Sequence, residues 1–363
     1  TRQLPDGKNV LVQNYIYNRP GVLDTYKNRI DTTGNMLFLY SELFGTYPFY
    51  KEKYGHCMAP LFGGMEHQTM TTLLHFNAPL VSHELAHQWF GNNVTCATWK
   101  DIWLNEGFAS YAKYLFVEKF WGEIVAYDFM LNVHNIVLND TNVGGSIYLP
   151  AADTVSPYRI FDRRLSYLKP SAVIHTLRYI INNDFAFFNI LKQYQQMYAS
   201  GNANTEDFKK LAEQVSGLDL DTFFKQWIYG EGYPVYHIKW NYAGSKVFIR
   251  IQQETTVPVS VPTFELPLEY KFVFAKGDTT IRQWNNKTVQ EFSVDIAYPI
   301  DQLIFDAGNK ILNKQTVVRD YSLGVSGTGT NEPFVYPNPV ADEWKVINLV
   351  AGMELILTDM NGK

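Results

Sequence analysis

The chain has 363 residues, of which 46% are hydrophobic and 18% charged, so it can bury one large core or two moderate ones. The formal net charge is −5 and no long basic run occurs, which argues against nucleic acid or an anionic membrane as the main partner. No apolar stretch reaches the roughly 18 residues needed to span a bilayer. Two cysteines, Cys57 and Cys96, give no disulfide framework; two separate buried thiols are favoured over a single bridge.

The N-terminal part of the chain alternates between strand and helix patterns. Residues 9–17, NVLVQNYIY, alternate and carry β-branched and aromatic side chains, which predicts a strand. The apolar spacing over residues 21–44 predicts helix, ended by Gly45. The segment KYGHCMAPLFGGMEH is rich in strand-forming residues. After it, Pro79 stands near the start of a helix that is predicted to stop at Gly91.

The remainder of the chain changes from helix to strand patterns. Further helices are predicted at about 101–120, 123–138, 170–182, 185–199 and 205–229. From Tyr233, period-two runs separated by Gly, Asn and Asp turns predict a small β-sandwich. The predicted fold class is therefore α+β. Its predicted units are a mostly helical domain at 1–232, a β-sandwich at 233–317, a Gly/Ser/Thr-rich linker at 318–334 and a partial β unit at 335–363.

The stretch SHELAHQWFGNN carries the pattern of a metal site. His83 and His87 are four residues apart, so on a helix they lie on one face and can offer two imidazole nitrogens to one ion. Glu84 lies about 100° further around the helix, where it can hydrogen-bond a metal-bound water without ligating the metal. Glu106, which eighteen residues separate from His87, supplies a third ligand. The alternative is a pair of core histidines beside a surface carboxylate; the third carboxylate at this spacing favours the metal site.

Small residues surround the third ligand on the second helix, which is predicted to begin near Asp101. The polar NNVT segment lets the chain turn back between the two helices. We expect the small residues to let the second helix approach the first closely; they are Gly107, Ala109, Ser110 and Ala112.

These residues match a known family. HELAHQWFGN, followed by WLNEGFASY and preceded by GGMEH, resembles the aminopeptidase N family of gluzincin metallopeptidases. YPF at 47–49 and GYPV at 232–235 extend the resemblance. The resemblance implies a thermolysin-like catalytic domain over residues 1–232. It also implies one Zn²⁺ per chain, held by His83, His87 and Glu106, with Glu84 as general base and acid.

The family uses a Gly-x-Met-Glu-Asn strand to bind the amino end of its substrate. Here that strand reads Gly63, Gly64, Met65, Glu66 and His67, so the resemblance implies that its backbone pairs with the peptide and that Glu66 binds the free α-amine. A carboxylate in a closed cleft is a good partner for one ammonium group. His67 departs from the usual Asn. Taken alone, GGMEH also fits a plain edge strand after a glycine turn.

The family's other catalytic group is a tyrosine just before a Lys-Gly helix start. FDRRLSYLKPSAV carries Tyr167 at that place, with Lys169 and then Pro170 where Gly is common. Proline in a first helical turn is compatible with the same geometry. The resemblance therefore implies that Tyr167 stabilises the oxyanion.

The last residues of the chain suggest a location. VYPNPVADEWKV and the pattern after it resemble the C-terminal sorting domain of the type IX secretion system of Gram-negative bacteria. The resemblance implies a secreted or cell-surface protein whose partner is the secretion machinery. The alternative is a generic β linker domain.

Taken together, the resemblance implies a zinc-dependent aminopeptidase that removes the N-terminal residue of peptides with a free N-terminus. A thermolysin-like endopeptidase would share the ligands but has no need for GGMEH. An epoxide-hydrolysing relative would use the same site on a lipid. A non-catalytic surface-binding module is expected to have lost one of the five catalytic or ligating residues, and none is lost. The family's N-terminal β domain is missing from this sequence, so we expect a more open substrate site.

Overall fold

A computed structural model describes residues 1–324 and two short paired strands further on, β16 (Phe334–Tyr336) and β17 (Lys345–Ile347). Apart from these two strands, the sorting domain predicted at 335–363 lies outside the described residues and stays a prediction. Helices and strands occur together in the described part of the chain, which gives a mixed α and β fold. No helix of this part is long and apolar enough to cross a membrane. Cys57 and Cys96 are both free, as favoured from the sequence, but they are partly buried and not buried as expected.

The elements of the N-terminal part agree in kind with the sequence patterns. They are β1 (Arg2–Gln3), β2 (Asn9–Val10), β3 (Val12–Tyr15), α1 (Val22–Asp31), α2 (Thr33–Phe44), β4 (Tyr54–Met58), β5 (Gly64–Met65), β6 (Thr71–Leu73), α3 (Ala78–Ala86), β7 (Val94–Cys96), α4 (Trp103–Trp121) and α5 (Glu123–Leu138). The helical part then ends with α6 (Pro157–Ile160), α7 (Lys169–Ile181), α8 (Asp184–Met197), β8 (Gly201–Ala203), α9 (Thr205–Ser216) and α10 (Asp221–Phe224). Short 3₁₀ segments lie at Trp99–Asp101 and Ala151–Val155, and π-helical segments at Arg163–Leu168 and Lys225–Tyr229.

Several predicted elements are divided in the structure. The strand predicted at 9–17 is two strands, because β2 pairs with β1 whereas β3 pairs in parallel with β4. The helix predicted at 21–44 breaks at Thr32, between α1 and α2. The predicted helix at 205–229 also divides, because Gly217 adopts a positive φ of 73° and ends α9.

A small mixed sheet covers one side of α3. Its strand order is β3-β4-β6-β5, so β5 lies at the edge. β5 pairs antiparallel with β6, with Gly64 opposite Leu73 and Met65 opposite Thr72. The GGMEH segment is therefore an edge strand after a glycine turn, in which Gly63 has a φ of 81°. An edge strand keeps one row of backbone groups free for another chain.

Helix α4 is the centre of the helical part. It is buried along most of its length, which explains why its sequence is apolar on nearly every side. A Cβ at Gly107 would lie 2.6 Å from Pro170 Cβ, so this glycine lets α7 approach α4. From the sequence we expected Gly107 to let α4 approach α3. That expectation was wrong for this residue, because a side chain at this position would contact α7.

Seven strands follow the helices and form two facing sheets. They are β9 (Pro234–Ala243), β10 (Lys246–Thr255), β11 (Leu266–Phe274), β12 (Gly277–Asn285), β13 (Val289–Asp295), β14 (Gln302–Phe305) and β15 (Lys314–Arg319). One sheet has the order β13-β10-β9-β15 and the other β12-β11-β14. β15 pairs in parallel with β9, a pairing that a period-two pattern cannot specify.

The sandwich and the helices share one hydrophobic core. Polar contacts join them as well: Thr176 Oγ1 donates to Lys310 O at 2.9 Å, and the Tyr179 hydroxyl donates to Pro267 O at 3.2 Å. The guanidinium of Arg282 lies 4.2 Å from the Tyr179 ring centroid. These contacts fix α7, and the segment before it, against the sandwich.

The close approach of α4 and α7 makes Gly107→Ala destabilising. Alanine in a helix gains about 1 kcal/mol over glycine. Here the new methyl meets Pro170 at 2.6 Å, and such overpacking costs about 1–3 kcal/mol. We expect the free energy of unfolding, measured with urea, to fall by about 1 kcal/mol.

Ser110→Ala on the same helix is the matched control for Gly107→Ala. The Ser110 hydroxyl is buried and has no hydrogen-bond partner among the described residues, so its removal should leave stability equal or higher. If Gly107→Ala and Ser110→Ala raised the free energy of unfolding equally, the close contact inferred between Gly107 and Pro170 would be refuted.

Candidate metal centre and cleft

Three buried side chains from α3 and α4 meet at one point. His83, His87 and Glu106 are 7%, 2% and 5% exposed. The two Nε2 atoms are 3.1 Å apart. Glu106 Oε2 lies 3.4 Å from His83 Nε2 and 3.2 Å from His87 Nε2. The structure therefore brings together the three ligands that the sequence predicts, each with one lone-pair atom turned toward the others.

This triangle has the dimensions of a zinc site. Zinc holds N and O ligands tetrahedrally at about 2.0–2.2 Å, which separates the ligand atoms by roughly 3.3–3.5 Å. The observed separations are 3.1–3.4 Å. Glu106 Oε2 is buried and faces the two imidazole Nε2 atoms, but none of the described residues meets it with the geometry of a full hydrogen bond. A buried carboxylate oxygen without a donor is costly unless a cation faces it, so the donor set fits a divalent zinc ion.

The end of α3 orients one of the two imidazoles. The helix predicted to reach Gly91 ends at Ala86, and His87 is its C-cap. The chain then turns so that Phe90 O lies 3.0 Å from His87 Nδ1. With the proton on Nδ1, His87 donates to that carbonyl and turns the Nε2 lone pair to the centre. The earlier end of the helix thus supplies the acceptor for His87.

Burial and mutual charge govern the protonation of these ligands without metal. Burial, together with the charge of Lys113, lowers the pKa of His83 to about 3. Burial disfavours the charged forms of both His87 and Glu106. Each of these two stabilises the charge of the other, so the pKa of His87 is raised and that of Glu106 lowered.

Glu84 lies between the ligands and the edge strand β5. It is buried, and burial raises the pKa of its carboxyl to about 7. A Cβ at Gly64 would lie 2.5 Å from Glu84 Oε1, so a larger residue at this position would displace the Glu84 side chain. Glu66, Glu84 and His87 each place one ligand atom within 4.8 Å of the others. The structure thus brings Glu66 to the same centre.

Two amides that sequence reasoning missed hold the strand segment in place. Asn92 Nδ2 donates to Glu66 O at 2.8 Å. Gln88 Nε2 lies 3.4 Å from the carbonyl oxygens of Glu66 and His67, and its Oε1 accepts from Thr69 N at 2.8 Å. The sequence signal that could have revealed this role is the pair of amide side chains at positions 88 and 92, in the segment after HELAH. The His67 imidazole is exposed.

A cleft of about 800 Å³ opens above the metal ligands. Its walls come from β5, the segment between α3 and α4, and the segment before α7. The lining residues are Gly64, Met65, Glu66, Gly91, Asn92, Thr95, Cys96, Ala97, Thr98, Trp99, Lys100, Ile102, Asn105, Glu106, Thr154, Phe161 and Tyr167. Of the predicted strand residues, Gly63 and His67 lie outside this lining. Trp99 and Phe161, whose rings meet edge to face at 5.9 Å, form an apolar wall that sequence reasoning missed.

Tyr167 reaches the centre from the π-helical segment before α7. Its ring lies 6.0 Å from the His83 ring, nearly parallel at 26°. Burial raises the pKa of Tyr167, and the Glu106 carboxylate raises it further, so the phenol stays a hydrogen-bond donor. Lys169 is buried and donates to Gly145 O at 3.2 Å, while Pro170 occupies the first turn of α7.

Comparison with known proteins agrees with this geometry. The model of the peptidase family M1 domain matches residues 29–227, more than half of the chain. The chain belongs to peptidase family M1. The match begins within α1 and ends within the π-helical segment after α10, so the M1 domain contains both metal-ligand helices and Tyr167.

Several curated aminopeptidases are similar to this M1 chain. Aminopeptidase N of Lactococcus lactis subsp. lactis is 35% identical over 162 residues, which are 44% of this chain and 19% of that protein. Aminopeptidase M1-D of Oryza sativa subsp. japonica is 32% identical over 246 residues, 62% of this chain and 28% of that protein. Probable aminopeptidase 2 of Sulfurisphaera tokodaii is 31% identical over 189 residues, 49% of this chain and 22% of that protein. The matches thus span between about a fifth and somewhat over a quarter of these relatives.

The anchoring of the strand segment by Gln88 can be tested without substrate. In Gln88→Ala, the buried Thr69 N–H loses its acceptor, so we expect its amide hydrogen exchange to accelerate about tenfold or more relative to the core.

Asn93→Ala is the matched control for Gln88→Ala, because this buried amide bonds Gln195 and Ser200, away from the strand. It should leave the exchange of Thr69 unchanged once overall stability is accounted for. Equal protection of Thr69 in the wild type and in Gln88→Ala would refute the anchoring role.

Proposed function

We propose that this chain is the catalytic part of a zinc-dependent aminopeptidase with a thermolysin-like catalytic domain. The observation that carries the proposal is the buried triangle of His83, His87 and Glu106, with the Glu84 carboxylate beside it under an edge strand. When bound, the zinc ion supplies Lewis-acid chemistry, which lowers the pKa of a water molecule to about 7 and polarises a peptide carbonyl.

Glu84 is the general base of the proposed reaction. Its carboxyl has a pKa raised to about 7 by burial, close to neutral pH, where a group both accepts and returns a proton readily. It takes the proton of the attacking water and passes it to the leaving amine. Tyr167 keeps its proton because burial and Glu106 raise its pKa, so it donates a hydrogen bond to the carbonyl oxygen as negative charge develops there.

Glu66 and the edge strand set the register of the peptide. β5 has one free row of backbone groups, which can pair with an extended substrate in the cleft. Glu66 places a carboxylate oxygen within 4.8 Å of ligand atoms of Glu84 and His87. A carboxylate at that distance pairs with the α-amine of the first residue. This pairing makes the enzyme an exopeptidase.

Glu84→Gln and Tyr167→Phe separate chemistry from binding. Loss of the general base should lower kcat by about 10²–10⁴-fold, and loss of the phenol by about 10²-fold, each with little change in KM. Both variants should keep about one zinc per chain, measured by elemental analysis after gel filtration, because neither residue is a ligand. Loss of zinc from Glu84→Gln, or a change confined to KM in Tyr167→Phe, would contradict these assignments.

Glu106→Gln should lower the affinity for zinc and with it the rise in melting temperature that added zinc gives to chelator-treated protein. Glu213→Gln is the control, because Glu213 belongs to a partly exposed acidic group with Asp219 and Asp221, remote in sequence from the centre. Equal zinc-dependent stabilisation of the two variants would refute the assignment of Glu106 as a ligand.

A panel of free and N-acetylated aminoacyl-coumarins tests the exopeptidase assignment against an endopeptidase. We expect kcat/KM to fall at least about a hundredfold on acetylation in the wild type, because the partly buried Glu66 carboxylate loses its ammonium partner. Glu66→Gln should remove most of this discrimination by weakening cleavage of the free substrates. Equal cleavage of free and acetylated substrates by the wild type would favour the thermolysin-like endopeptidase.

A further inference from the structure

The two histidine ligands differ on the side away from the metal. His87 Nδ1 faces Phe90 O at 3.0 Å. His83 Nδ1 is buried, and no hydrogen-bond partner for it exists in the described part of the chain. A histidine that binds metal through Nε2 carries its proton on Nδ1 and normally donates it to a carboxylate or carbonyl. His83 lacks that acceptor.

Lys113 lies on the helix face that carries Glu106. Lys113 and Glu106 are seven residues apart on α4, which is close to two full helical turns, so both side chains leave the helix on the same face. They are about 10 Å apart along the helix axis. Glu106 meets His83 at 3.4 Å, which shows that this face looks toward α3. Lys113 is partly buried there, and its charge acts on His83 and on Glu84. The other charged groups that face it are Glu106 and Arg163.

We propose that Lys113 is a positioning residue that loosens the metal site through His83. It places a donor-only cation near the imidazole, in a region where a metal-binding histidine needs an acceptor. The ring of His83 then packs against the rings of Tyr167 and His87, at 6.0 and 4.6 Å, and no acceptor among the described residues orients it through Nδ1. Its Nε2 is therefore a poorer electron donor than that of His87. A cation near the centre also opposes a divalent ion.

This inference rests on the proposed zinc site and goes beyond it, because it concerns how tightly the ion is held.

Zinc affinity, measured at one fixed pH by competition with a fluorescent chelator on the whole chain, tests the proposal. Lys113→Met removes the charge and keeps the length of the side chain, so the Kd should fall severalfold. Lys113→Glu also supplies an acceptor for His83 and should lower the Kd by about 10–100-fold, the range typical of such outer contacts. Lys113→Gln supplies a neutral acceptor, so its Kd should lie between those of the Met and Glu variants. If Lys113→Glu does not fold, the Kd of Lys113→Gln tests the proposal in its place.

Two controls separate the possible failures. Lys119→Glu makes the same charge change at an exposed position near the end of α4 and should leave the Kd unchanged. In a His83→Gln background, Lys113→Glu should lose most of its gain, because the effect acts through the imidazole. If the wild type binds zinc but the Lys113 variants have Kd values within about threefold of it, or if Lys119→Glu shifts it equally, the inference is overturned. If the wild type binds no zinc at micromolar concentrations, the proposed metal site itself fails.

Discussion

The packing of α3 against α4 is the constraint on which the rest of the site depends. It brings three lone-pair atoms, two nitrogens and one oxygen, within 3.4 Å of one another in a buried place. Burying such a triangle is costly, because each atom has given up its water; without a metal ion, the attraction between His87 and Glu106 offsets that cost. The surrounding helices resist its relaxation, since α4 is buried along most of its length and α7 presses on it at Gly107. The fold thus holds two nitrogen atoms and one oxygen atom where a metal ion could bind all three.

A second constraint comes from the sheet. The edge strand β5 passes so close to Glu84 that Gly64 cannot be replaced by a larger residue without movement. The same contact places Glu66 beside the ligands, and Gln88 and Asn92 from the loop after α3 fasten that segment by its carbonyl oxygens. Two of the three proposed metal ligands and the proposed base therefore lie in one short stretch, residues 83–92, which also holds the strand segment that carries Glu66.

Much of the centre was predictable because its signals are local or depend on one turn. The spacing of His83 and His87 follows from the helix repeat, and Glu106 needs only the chain reversal at NNVT. Tyr167 lies far along the chain, and only resemblance to a family could suggest it. The parallel pairing of β15 with β9, the early end of α3 and the contact of Gly107 with Pro170 depend on long-range packing that periodicity does not contain. No pattern in the sequence distinguishes Lys113 from other helix lysines, because its place beside the centre depends on how α4 packs against α3.

The central claim is that two imidazoles and one carboxylate, with no thiolate, hold a zinc ion. X-ray absorption at the zinc edge on the zinc-loaded chain tests it directly, because it reports the ligand atoms themselves. The account predicts a first shell of nitrogen and oxygen only, at about 2.0–2.2 Å, with the outer scattering of two imidazoles. A sulfur shell at about 2.3 Å, which would implicate Cys57 or Cys96, or a shell of oxygens without imidazole, would contradict it.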